Sequence, residues 1–176
     1  ALRIVESFEQ RYAGFPGLNL TFEVREGIAK HSRDFGPGED PVLDEYLPGL
    51  RPPLEAQIID LADEIAYNTA DLDDGRSARF FEVEEVARAV PEFAALRDAA
   101  DERFPNAPVR IRFNEALRAL IDMLVTGLIE GTREAAIAAG VRDYEDVRRY
   151  PERLARLTAP AMVKAGFPKQ FGAGVI

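Results

Sequence analysis

An all-α fold is predicted by three observations: helical apolar periods recur along the chain, short Pro- and Gly-rich breaks separate them, and no stretch alternates apolar and polar residues as a half-buried strand does. With 176 residues, 47% of them hydrophobic and 30% charged, the chain can bury a core and fits one domain or a substantial piece of one. The expected organisation is a helical core over about 1–140 and a C-terminal helical segment over about 141–176.

Taken in order, Leu2, Val5, Phe8 and Tyr12 have helical spacing and predict the tail of a helix, closed by the loop from Ala13 to Gly17. Thr21 is placed to N-cap a helix carrying Leu20, Val24, Ile28 and His31 along one side. Ser32 to Pro53 contains Gly36, Pro37, Gly38, Pro41, Pro48, Gly49, Pro52 and Pro53, too broken for a helix. A loop this long inside a compact domain points to a lid, an oligomer contact or disorder. A helix follows from Leu54 to Asp74, with Gly75 as its expected stop. Val83, Val86 and Val90 mark a short helix halted by Pro91, and Phe93, Leu96 and Ala100 mark another that ends before Pro105. Val109 to Ala139 is the expected central helix, its wide apolar face carrying Leu117, Leu120, Ile121, Leu124, Leu128 and Ile129. Two further short helices are expected at Tyr144–Tyr150 and Pro151–Ala165.

Composition removes several function classes. No apolar run approaches the ~20 residues needed to span a bilayer, and no basic, then hydrophobic, N-terminal stretch reads as a signal peptide, so the cytoplasm is the expected location. Zero cysteines exclude disulfides, thiolate zinc sites and a cysteine nucleophile. A net charge of -9 and a pI near 4.8 disfavour broad contact with duplex phosphates, so nucleotide binding needs local cations. Neither a Walker nor a Rossmann glycine pattern occurs, and the single histidine, His31, rules out a zincin motif. No nucleophile elbow accompanies His31, which reads as a hydrogen-bonding residue at a helix end, with a supporting role near a pocket as the alternative.

The most informative segment is the helix from Leu54. Asp60, Asp63, Glu64, Tyr67 and Asp71 recur at i, i+3, i+4, i+7 and i+11 and share a face, whereas Leu54, Ile58, Leu61, Ile65, Thr69 and Leu72 fall on the other. Asp63 to Tyr67 is one turn, about 6 Å, and Asp63 to Asp71 about 12 Å, the reach of a small phosphorylated ligand. An acidic stripe opposite an apolar one is also what a solvated surface helix shows. Neighbouring carboxylates repel by a few tenths of a kcal/mol per pair, so a cation or a cationic side chain from elsewhere is expected to compensate.

These residues also carry a resemblance. The run PGLNLTFEVREGIAKH from Pro16 to His31, followed by LEAQIIDLADEIAYNTADLDDG from Leu54 to Gly75, resembles the bacterial deoxyguanosinetriphosphate triphosphohydrolases of the HD-domain superfamily. A third segment, Arg118 to Thr132, is similar to a later helix of that family, with Gly127 where an acid is expected. The likeness covers residues 1 to about 160 and implies an HD-domain-like helical fold, a deoxynucleoside triphosphate substrate and a homo-oligomer. It also implies a divalent metal such as Mg or Mn in the complete enzyme. The implied reaction is attack of metal-activated water on the phosphorus next to the nucleoside oxygen, releasing triphosphate and a deoxynucleoside. Asp63 matches the family's last metal ligand; Tyr67 would contact sugar or phosphates, Asp71 would accept a hydrogen bond from the sugar hydroxyl, and Arg118 would contact phosphate, with a surface ion pair as its alternative.

The resemblance implies absences too. The family's remaining metal ligands, a histidine and a His-Asp pair, lie before the segment with which this chain opens, and His31 is not among them. Ala1 in place of Met, an apolar spacing with no cap ahead of it, and the glycine-rich end from Phe167 to Ile176 give the expectation of a part of a longer protein, or a diverged remnant. The chain alone is therefore expected to be inactive, with no catalytic metal of its own and with apolar surface on the 54–74 helix left short of cover. Ala70 replaces a frequent histidine, and Arg76-Ser-Ala-Arg79 replaces a more apolar continuation, so substrate preference is not carried over. The competing expectation is a non-catalytic nucleotide-binding or oligomer-forming module that has lost the metal site.

Overall fold

The computed structural model describes residues 1–158. Among them every regular element is helical: a short π-helical turn at Ile4–Phe8, then α1 (Phe22–Ala29), α2 (Leu54–Ser77), α3 (Val83–Ala89), α4 (Pro91–Arg103), α5 (Val109–Ala138) and α6 (Tyr144–Arg149). The all-α expectation holds. No helix among the described residues is long and apolar enough to cross a membrane. The described residues divide into two units, the first Ala1–Asp60 with Glu134–Arg156 and the second Leu61–Arg133 with residues 157–158.

In the first unit, the Thr21 hydroxyl accepts a hydrogen bond from the Val24 amide and caps α1 as its sequence predicts. Gly27 lets α1 approach the start of α2, since a Cβ there would stand 2.9 Å from the Ala56 Cβ. The loop from Ser32 to Pro53 has no helix, as expected, yet buries Phe35 and Tyr46. Ala135, Val147 and Leu154 form a small apolar cluster with Leu54, Ala139, Val141 and Tyr150 around them. Asp143 caps α6 by accepting from the Asp146 amide at 3.0 Å.

The second unit is built on the narrow inward stripe of α5, where Phe113, Ala116, Leu117, Leu120, Leu124 and Leu128 are buried. Phe93 of α4 meets Phe113 edge to face at 5.8 Å, and Val86 of α3 is fully buried. Pro91 opens α4 at the first helical position, where its missing N–H costs nothing.

Four expectations need correction. Helical geometry near the N-terminus starts at Leu2 as expected but stops at Phe8 rather than running to Tyr12, because the π-helical turn at Ile4–Phe8 buries none of its residues and lacks packing to sustain a longer helix. Ile129 is 63% exposed: it lies one residue, about 100°, past Leu128, outside the stripe that α5 buries. From Pro151 to Thr158 the chain is not helical, and the rest of the expected last helix lies outside the described residues. Finally, α2 does not stop at Gly75. It continues to Ser77 and ends in a Schellman motif, with Arg79 at φ 61 and with the Arg79 and Phe80 amides donating to the Arg76 and Gly75 carbonyls. Gly75 serves packing instead, since a Cβ there would meet the Phe81 ring at 2.5 Å. Gly75→Ala is expected to destabilise by up to about 2 kcal/mol, overpacking of about 1–3 offset by about 1 of helix propensity, read from the denaturation midpoint. An unchanged or raised midpoint would contradict the packing role.

The apolar side of α2 is covered at Ile65 and Leu72, where exposed surface was expected, while Leu54, Ile58 and Leu61 are half-buried.

Candidate active face and its supporting ion network

On α2 within the second unit, Asp63, Tyr67 and Asp71 lie at successive turns of one exposed face, and Tyr67 is 66% exposed. None of the three side chains makes a hydrogen bond or ion pair with another described residue. The opposite side of the helix carries buried Ile65, Thr69 and Leu72, and the Thr69 hydroxyl donates back to the Ile65 carbonyl at 2.8 Å. The stripe is thus a polar surface available to a ligand. Arg118 engages its own helix: one guanidinium nitrogen is 2.6 Å from the Glu115 carboxylate, another donates to the Asn114 carbonyl, and its side chain is exposed.

Asp60, the first acid of the stripe, belongs to the other unit and is compensated from outside its helix. Its carboxylate meets His31 Nδ1 at 2.5 Å, accepts from the Ser32 amide at 3.1 Å and pairs with Arg153. Arg153 also holds Asp34 at 3.0 Å and donates to the Lys30 carbonyl at 2.7 Å, and Arg51 closes on Asp34 from the far end of the loop. His31 is thereby the helix-end hydrogen-bonding residue its sequence position suggests. Burial would raise the Asp34 carboxyl, but bonds to Arg153 and Arg51 outweigh it and hold it below the usual carboxylate range. For Arg153, burial is likewise outweighed by Asp34 and Asp60, and its pKa rises.

Because Asp34 titrates lower in the folded state than in the unfolded chain, its contribution is present above about pH 4 and is lost as pH falls through the depressed folded value. Urea midpoints from pH 6 to pH 2.5 should therefore fall less steeply below pH 4 in Asp34→Asn than in the parent. Parallel curves would contradict this.

Deeper in the same unit lies a charged triad. Glu26, Lys30 and Arg148 are all essentially inaccessible, at 0%, 0% and 2%. Arg148 grips Glu26 through two nitrogens at 2.6 and 2.5 Å, while Lys30 Nζ donates to Glu26 at 2.7 Å and to the carbonyls of Leu47 and Leu50 at 2.9 and 2.8 Å. Burial lowers the Lys30 pKa against the pull of Glu26; for Arg148, bonds to Glu26 and Tyr144 overcome the same penalty and its pKa rises. The triad ties α1, the proline-rich loop and α6 together. Gln57 does similar work, its carboxamide accepting from the Leu154 amide at 2.7 Å and donating to the Pro52 carbonyl at 2.9 Å.

This overturns one expected face. Val24 of α1 is exposed while Glu26 and Lys30 are buried, so α1 turns its charged side inward. The i,i+4 spacing of Glu26 and Lys30 was the one available signal; their partners lie far along the chain.

Comparison with known proteins adds the deciding observation. A protein of Ralstonia nicotianae named deoxyguanosinetriphosphate triphosphohydrolase-like is 41% identical over 172 residues, 97% of this chain and 44% of the relative. The chain is similar to deoxyguanosinetriphosphate triphosphohydrolase-like proteins along almost its whole length. Triphosphohydrolase-like relatives from Azoarcus (41% identical, 88% of this chain and 41% of the relative) and Geobacter sulfurreducens (39%, 85% and 38%) agree. The chain spans less than half the length of these triphosphohydrolase-like relatives. No family model matches it.

The metal that the resemblance implies does not fit the donors present. Among the described residues no group of three or more His, Cys, Asp or Glu side chains could hold an ion, and Asp63 stands on an open helix face.

Proposed function

We propose that this chain is part of a metal-dependent deoxynucleoside triphosphate triphosphohydrolase, converting a dNTP and water to deoxynucleoside and triphosphate, and that it contributes the α2 face of the substrate site. The observation that carries the reading is the exposed Asp63, Tyr67 and Asp71 stripe, lying within a segment that shares about 40% identity with triphosphohydrolase-like proteins. Tyr67 lays its ring against the sugar or phosphates, and Asp71 accepts the sugar hydroxyl hydrogen bond two turns from Asp63. Arg118 leaves Glu115 to meet a phosphate, for which its planar fork is suited. Asp63 serves as a single metal ligand, and the other ligands come from groups outside this chain. The assembly is a cytoplasmic homo-oligomer.

The test is release of inorganic triphosphate from dNTPs by the full-length protein with Mn2+ or Mg2+. Absence of turnover would favour a nucleotide-binding module that lacks chemistry. The isolated 176-residue chain is expected neither to bind Mn2+ tightly in calorimetric titration nor to hydrolyse dGTP, since one carboxylate is short of the three fixed protein ligands of an open catalytic site. Micromolar Mn2+ binding with turnover by this chain would place the active site elsewhere.

A further inference from the structure

A concavity in the Leu61–Arg133 unit, about 550 Å³, is lined by Arg76, Arg79 and Arg110 together with Phe81, Val83 and Val109. Three arginines line it in a chain whose acids outnumber its bases 31 to 22, yet none of the three has a carboxylate partner among the described residues. The Arg76 guanidinium lies over the Phe113 ring at 4.8 Å, which holds it by a cation–π contact and leaves its edge N–H groups as donors. Its place in the last turn of α2 also suits the helix dipole, but that explains Arg76 alone, not Arg79 beyond the helix or Arg110 on α5. Glu82 and Glu84 line the same concavity; the Glu82 side chain is engaged in the capping box of α3.

The groove is separate from the candidate active face. At about 100° per residue, Arg76 sits roughly 180° around α2 from the centre of the Asp63, Tyr67 and Asp71 stripe, on the side that buries Leu72. We propose that Arg76, Arg79 and Arg110 form a second anion site that takes a polyphosphate chain, with Phe81, Val83 and Val109 as its apolar wall. Three forked donors match several linked phosphates better than one, because each guanidinium can pair two oxygens. The polyphosphate could be carried by a nucleotide or be inorganic, and the chemistry recognised is the same.

The experiment is calorimetric titration of the full-length protein with inorganic tripolyphosphate and, separately, with a non-hydrolysable nucleoside triphosphate, in the parent and in an Arg79→Gly, Arg110→Ala double variant. Glycine suits the left-handed conformation at residue 79, so loss of binding there does not reflect a strained turn. Melting temperature of the variant verifies its fold. The expected result is at least a tenfold weakening of tripolyphosphate binding in the double variant, with Asp71→Ala leaving that binding unchanged. A nucleoside triphosphate that binds tenfold more tightly than tripolyphosphate, and loses that binding in the double variant, identifies the nucleotide as the carrier; equal affinities identify the phosphate chain alone. Parent and double variant binding both ligands within twofold would overturn the proposal, whatever the outcome for triphosphate release.

Discussion

Glu26→Ala should lower the stability of this chain by about 3–5 kcal/mol, the usual effect of removing one partner from a buried ion pair. The loss is large because, among the described residues, Glu26 is the one carboxylate that bonds both inaccessible cations, Lys30 and Arg148, which would then lose their shared anion. For a chain of this size, 1 kcal/mol moves the melting temperature by about 2–4 °C, so a drop of roughly 6–20 °C is expected in thermal unfolding. Glu26→Gln should lose nearly as much, since it keeps the shape and removes the charge. Replacing all three residues by apolar ones of similar volume should cost less than the sum of the single changes, but not nothing. The carbonyls of Leu47 and Leu50 would lose Lys30, at about 1–3 kcal/mol each where they stay buried. A fall of under 1 kcal/mol in Glu26→Ala would show that water reaches the triad and that it does not hold the loop.

How far the sequence could be read depends on how local each cause is. Thr21 as a cap, Pro91 as a helix opener and the period of α5 are settled by residues within one or two turns, and they stand where the sequence puts them. The inward charged side of α1 was not legible in the same way. A Glu and a Lys four apart look like an exposed helix pair until Arg148, 122 residues from Glu26, and two loop carbonyls arrive to satisfy them. Gly75 misleads for a related reason: glycine near a helix end signals a cap, and only the position of Phe81 shows that it is there for space. The acidic stripe of α2 was legible as a pattern, and its compensation at Asp60 came, as expected, from outside the helix, through Arg153 and His31. Arg118 carried two readings, and in this structure its guanidinium lies in the local pair with Glu115.

The central claim, that α2 supplies the chemistry-bearing face of a triphosphohydrolase, rests most heavily on Asp63. A ligand carboxylate cannot be replaced by alanine without loss of the ion, and even groups that only orient metal ligands cost 10–100-fold when removed. Asp63 is exposed and makes no described contact, so Asp63→Ala is expected to leave the melting temperature within about 0.5 kcal/mol equivalent of the parent, as for surface substitutions generally. The deciding measurement is triphosphate release from dNTPs by the full-length protein with Mn2+, parent against Asp63→Ala. The account predicts a fall of more than about 100-fold with folding intact; equal rates in the two proteins would contradict it.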